Sequence, residues 1–128
     1  GVDAKDPVAA AEAVGVQLAQ EFGSVVVITS DVDFVTDGRR SARVGGGSPM
    51  MPLITAIGCS LTCLTGAFAA VAAPMEAAVS ALTLFAEAGD RAARTASGPA
   101  SFSQHFIDQL HAITPEEFAA SPWVTWEA

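Results

Sequence analysis

From Val8 onward the apolar positions Val8, Ala11, Gly15, Leu18 and Phe22 recur every three or four residues, with Glu12, Gln17 and Gln20 away from them. That period is helical and puts an apolar stripe on one face. Asp6 supplies an N-cap, Pro7 a first helical residue and Gly23 a stop. The pattern then changes. Residues 24–30, Ser-Val-Val-Val-Ile-Thr-Ser, show no polar alternation, which predicts a strand covered on both faces, as in a parallel sheet. Residues 31–36 read as a short strand, and Asp37-Gly38 turns it into residues 39–44 as a hairpin. The outer face of that hairpin carries Arg39, Arg40 and Arg43 and is expected to be solvated. A glycine-rich loop starts at Gly45 and reads as mobile. Three helices follow, over about 58–73, 74–96 and 101–112. Thr114-Pro115-Glu116-Glu117 forms a capping box that opens a last short turn. The two tryptophans of the tail, residues 122–128, are expected to pin it to the body.

One helix, one buried strand, one hairpin and a helical layer make an α/β fold. A single buried strand needs parallel neighbours that these residues do not encode, so the chain reads as half of an architecture. Composition adds to that picture. Apolar residues make up 51% of the 128 positions and charged residues only 16%, against about 25% charged in an ordinary domain. Such a chain is expected to bury further surface against another part of its fold or another subunit. Its start at Gly1-Val2-Asp3, without methionine, reads as cut.

A net charge of −8 with only six Lys and Arg argues against nucleic acid. Residues 44–75 contain no charge, yet Pro49, Pro52 and Pro74 interrupt them. Their helical part is rich in Ala, Thr, Ser and Gly, which fits a buried core helix better than a membrane span. Cys59 and Cys63 stand four apart on one helix face, a poor geometry for a disulfide. Both read as free thiols of a reducing compartment, the cytoplasm.

The chemistry concentrates at Thr55-Ala56-Ile57-Gly58-Cys59, a turn feeding a helix. The first-turn N–H groups of a helix have no internal acceptor and, with the dipole behind them, favour an anion such as phosphate. Cys59 falls in that first turn, where a thiolate is stabilised and can accept a proton. Cys63, one turn on, reads as inert packing. Thr29 and Ser30 end the buried strand, where α/β sheets bind ligands. The loop lacks the spaced glycines and Lys-Ser/Thr of a P-loop. His105 and His111 are six apart on different helix faces, so no metal site is expected. Asp31, Asp33 and Asp37 fit hairpin turns better than a cation site.

Together these segments resemble hydroxyethylthiazole kinase, of the ribokinase-like superfamily. The resemblance rests on Gly1-Val2-Asp3, on residues 27–38, on Pro49-Met50-Met51 and on residues 55–68, and it covers nearly the whole chain. It implies a C-terminal half of a ribokinase-like domain over residues 1–128, with a strand in a parallel sheet. The implied activity is ATP-dependent, magnesium-assisted phosphorylation of the hydroxyl of 4-methyl-5-(2-hydroxyethyl)thiazole, a thiamine-salvage step, in a trimer that binds substrate between subunits. By the same resemblance Thr29 and Gly58 contact ATP, Ala56 contacts substrate and Cys59 is catalytic, with no metal ligand assigned. The family turn reads Gly-Thr-Gly-Cys, so Ala56 and Ile57 depart from it. If position 56 needs a positive φ, alanine costs stability, and loss of a threonine hydroxyl at 57 removes a possible phosphate contact. The family's remaining site residues belong to its other half, so this chain alone is expected to be inactive. The rival reading is a non-catalytic phosphate- or nucleotide-binding half-domain that works by associating with another chain.

Overall fold

The computed structural model describes residues 8–127, so the expected cap Asp6-Pro7 and the segment Gly1-Val2-Asp3 lie outside the described residues. The elements run α1 (Val8–Phe22), β1 (Val26–Ile28), β2 (Asp33–Thr36), β3 (Ser41–Val44), a 3-10 turn (Met51–Leu53), α2 (Ile57–Ala69), α3 (Pro74–Ala93), α4 (Pro99–Ala112), α5 (Pro115–Ala119) and β4 (Val124–Glu127). The strands form one sheet in the order β1-β2-β3-β4, antiparallel throughout.

The strand expected to be buried among parallel neighbours has an antiparallel neighbour and an open edge within this chain. β1 has only three residues, sits at an edge of the sheet, and pairs antiparallel with β2. Val27 is 37% exposed. An unbroken apolar run signals two apolar faces, but it cannot tell which strands lie beside it. The other edge is filled by the tail, which enters the sheet as β4 with Val124 opposite Val44 and Trp126 opposite Ala42.

The sheet lies between α1 and α3. On one face Gly15 of α1 approaches so closely that a β-carbon there would stand 3.0 Å from Ile28 Cδ1. On the other, Val35, Ala42 and Val44 pack with Met75, Ala78, Val79, Leu82 and Ala86 of α3. α3 is the centre of the molecule: thirteen of its 20 residues are buried. Its many alanines let other elements approach from several sides. Beyond it α4 closes a second cluster of Phe85, Ala88, Ala92, Phe102 and Phe106.

Two helices depart from expectation. On α1 the buried positions are Gly15 and Ala19, while Val8, Leu18 and Phe22 of the expected stripe stay exposed, Phe22 by 69%. Small residues face the sheet because the helix sits close to it. Helix α2 buries none of its residues fully. It leans on α3 through half-buried Leu61 and Leu64, while Thr62, Cys63 and Gly66 remain exposed, so within this chain it is not the buried helix expected. No described helix is long and apolar enough to cross a membrane.

The hairpin arginines are less solvated than expected. Arg43 donates two bonds of 2.8 Å to Glu12 and one of 2.7 Å to Glu127, joining α1, β3 and β4. Arg40 pairs with Asp37 and Glu76, and Arg39 stays exposed. The turn itself is set by Asp37, whose Oδ1 accepts from the N–H groups of Arg39 and Arg40, both at 2.9 Å. Those bonds hold its carboxyl down at about 2. Thr114 and Glu117 form the expected capping box.

Glu87 of α3 ties the tail down. Its Oε2 accepts from Trp123 Nε1 at 2.8 Å and from Ser121 Oγ at 3.3 Å, and its Oε1 accepts from Arg91 Nε at 2.7 Å. Burial works against the charge, but the bonds from Arg91, Trp123 and Ser121 outweigh it and hold the carboxyl below its usual range. A carboxylate with a depressed folded pKa stabilises above its unfolded pKa, and that contribution fades as pH falls through the folded value. Glu87→Gln should therefore cost about 1.5 kcal/mol at pH 7. The gap to the parent should narrow below about pH 4.5. Urea unfolding of both proteins at pH 7 and 3.5 reads this; an equal gap at both values would contradict it.

Candidate active site

A cleft of about 1210 Å³ opens between the ends of β1–β3 and the start of α2. Its walls bring together every residue singled out for the site: Thr29, Ala56, Gly58 and Cys59. These lie up to thirty positions apart in the chain. Thr29 stands where β1 ends. The strand stops there because the following residues turn tightly: Ser30 N–H donates to Asp33 Oδ1 at 2.9 Å and Ser30 Oγ donates to the Val32 carbonyl at 2.6 Å.

Ala56 caps α2 with φ 65° and ψ 16°, and it is the one non-glycine residue with positive φ among the described residues. The expected strain is present. The left-handed cap swings the chain so that the first intrahelical bond runs from Ser60 N–H to the Ala56 carbonyl at 3.0 Å. The N–H groups of Ile57, Gly58 and Cys59 come before it and have no acceptor within the helix. They form the positive pole at the cleft wall. An L-residue in this conformation costs roughly 1–2 kcal/mol, and glycine recovers most of that less its greater unfolded-state entropy. Ala56→Gly should thus raise the unfolding free energy by roughly 0.5–1 kcal/mol in urea titration. A lower value would mean that the turn changes shape with glycine.

Ile57 packs half-buried against the Phe85–Phe102–Phe106 cluster, so its side chain serves the core. Cys59 and Cys63 are free thiols and both are exposed; Cys63 is thus not packing, and it does not line the cleft. Neither histidine lines it either. His105 Nδ1 lies 2.9 Å from Thr95 Oγ1, and His111 is exposed on α4. Among the described residues no three His, Cys, Asp or Glu side chains are grouped to hold a metal ion.

Three features of the cleft went unread in the sequence. Asp31 and Asp33 share the wall with Thr29, and burial pushes the Asp33 carboxyl up against the opposing bond from Ser30 N–H. The glycine loop forms the adjoining wall, because Val44 pairs with Asp33 and residues 45–48 continue from it. That loop, expected to be mobile, is anchored at its first residue: Gly45 N–H donates to the Trp123 carbonyl at 2.9 Å. Leu82, Phe85 and Ala86 of α3 form an apolar floor. The hairpin register was the signal that could have placed the loop beside the strand end.

The chain has similar proteins among those already known. The model of the hydroxyethylthiazole kinase family matches residues 1–116. A hydroxyethylthiazole kinase of Gemmatimonas aurantiaca is 60% identical over 128 residues, all of this chain and 46% of that protein. One from Cereibacter sphaeroides is 56% identical over 116 residues, covering 91% of this chain and 44% of its own length. The solved hydroxyethylthiazole kinase protein of Pyrococcus horikoshii superposes with a TM-score of 0.88 at 34% identity, over 94% of this chain and 47% of that one. The chain spans about half the length of the curated relatives it matches. It belongs to the hydroxyethylthiazole kinase family.

Proposed function

We propose that this chain is the C-terminal half of a ribokinase-like kinase domain. The domain would transfer the γ-phosphoryl group of ATP to the hydroxyl of 4-methyl-5-(2-hydroxyethyl)thiazole, in thiamine salvage. The observation that carries the reading is the convergence of Thr29, Ala56, Gly58 and Cys59 on one cleft, the last three at a helix N-terminus. In this reading Thr29 and the Gly58 N–H hold the nucleotide phosphates and Ala56 borders the thiazole. The donors of the α2 first turn stabilise charge on the phosphoryl group in flight. The substrate hydroxyl oxygen forms the new bond to phosphorus as the β–γ bridging oxygen departs with ADP. The hydroxyl proton passes to Cys59 Sγ.

Magnesium is the expected companion of ATP, but the described residues group no set of three ligands for it. Its ligands are not assigned to this chain, and no step above runs through it. The exposed Val14, Leu18 and Phe22 of α1 and the open edge of β1 suit a domain completed by further chain. The half-chain alone is accordingly inactive. A trimer in the cytoplasm completes the proposal.

The test is ADP release by the full-length protein carrying this sequence, given magnesium-ATP with and without hydroxyethylthiazole. Thiazole-dependent release is expected. A folded protein that binds ATP without thiazole-dependent release would overturn the kinase reading in favour of the nucleotide-binding half-domain.

A further inference from the structure

The tail does more than fill a sheet edge. Gly46 has φ +81°, and a β-carbon on it would stand 2.5 Å from Trp123 Cδ2 and 2.8 Å from Cε2. The glycine backbone therefore lies directly on the face of the indole. The Trp123 carbonyl accepts the Gly45 N–H at 2.9 Å, so ring and backbone grip neighbouring residues of one loop. The indole is itself fixed, since its Nε1 donates to Glu87 Oε2 at 2.8 Å from the central helix. A second side chain packs against the loop: Met51 Sδ would lie 2.9 Å from a β-carbon on Gly47 and 2.7 Å from one on Gly89. Gly45, Gly46 and Gly47 all line the cleft, whereas Trp123, Glu87 and Gly89 do not.

We propose that Trp123 is a positioning residue that sets the glycine-loop wall of the cleft, at its nucleotide end. The end is chosen by register. Val44 pairs with Asp33, so Gly45 follows beside the Ser30–Asp33 turn that begins at Thr29. The choice of nucleotide over thiazole rests on the function proposed above; the grip on the loop does not.

Glycine loops have large backbone freedom, so an unsupported wall would sample many shapes, and binding to it would be weakened by the fraction that is competent. In the full-length protein, Trp123→Ala should raise KM for ATP about ten-fold with kcat within about two-fold. Amide exchange over residues 45–48 should rise by a similar factor while that of α4 is unchanged. Trp123→Phe keeps a ring on Gly46 but loses the bond to Glu87 and should fall between. Gly46→Ala pushes the loop off the indole from its own side and should raise KM comparably. The double variant Gly46→Ala/Trp123→Ala should fall well short of the product of the two single effects, because both break the same contact and only the strain of a left-handed alanine is left to add.

Unchanged loop exchange in Trp123→Ala, or effects of the two substitutions that add, would overturn the grip. Loosened exchange with unchanged KM for ATP would overturn the positioning role, provided Thr29→Val raises that KM. If Thr29→Val also leaves it unchanged, the nucleotide assignment of the cleft is what fails, and the exchange result still decides the grip. Should Trp123→Ala fail to fold, Trp123→Phe and Gly46→Ala carry the same two readouts.

Discussion

Cys59→Ser should lower turnover of the full-length protein about a hundred-fold or more, while KM for ATP stays within about two-fold. The motivation is position: Cys59 lies in the first turn of α2, exposed to the cleft, beside N–H groups that have no intrahelical acceptor. Serine keeps nearly the same shape there but lacks the sulfur that the proposed proton transfer uses. The nucleotide contacts assigned to Thr29 and Gly58 are untouched, so the loss should fall on kcat. Cys63→Ser is the internal control. Its thiol is also exposed but lies one turn along and outside the cleft wall, so its turnover should match the parent. Steady-state rates at saturating thiazole read both. Equal loss at the two positions would point to a general effect on α2, and no loss at Cys59 would remove it from the mechanism.

Phe102→Ala should cost about 3–5 kcal/mol of stability, a large share of the roughly 5–15 kcal/mol by which a domain is stable. Phe102 is fully buried and heads the largest such side chains. Its ring stacks on Phe106 at 6.0 Å between centroids, and Phe106 meets Phe85 edge-on at 4.8 Å. Removing it leaves a cavity that the surrounding rings, held on two helices, can only partly close. The same cluster supports Ile57, Leu61 and Leu64 of α2, so the turn that opens α2 should loosen before global unfolding. Phe102→Leu keeps most of the volume and should lose well under half as much. Urea unfolding gives the totals, and amide exchange at the start of α2 gives the local effect. A loss near 1 kcal/mol for the alanine variant would mean that the cluster is not what holds α4 and α2 to α3.

The local signals were legible where a residue type dictates its own backbone. The capping box at Thr114–Glu117, the stop at Gly23 and the Asp37-Gly38 turn each rest on contacts within five residues, and each is present. That Thr29, Ala56, Gly58 and Cys59 border one cleft was foreseeable in part, because a turn entering a helix and a residue ending a strand both lie at element ends. The strain at Ala56 followed from the same logic, a left-handed cap without glycine.

What the tertiary structure decided is pairing. The run 24–30 announced an apolar strand, but neighbours come from other parts of the chain, and here the neighbour is the antiparallel β2. The stripe on α1 announced a helix, yet close approach to the sheet selected Gly15 and Ala19 as its buried positions and left Phe22 outside. Three glycines in a row read as freedom until Trp123, about eighty residues away in sequence, was placed against Gly46. The sequence by itself determined the helices, the hairpin and the turn that opens α2, since those follow from local conformational preference. Only the tertiary structure made α3 the centre, gave the tail to the sheet and closed the cleft wall, because burial and long-range contact are properties of the packed whole.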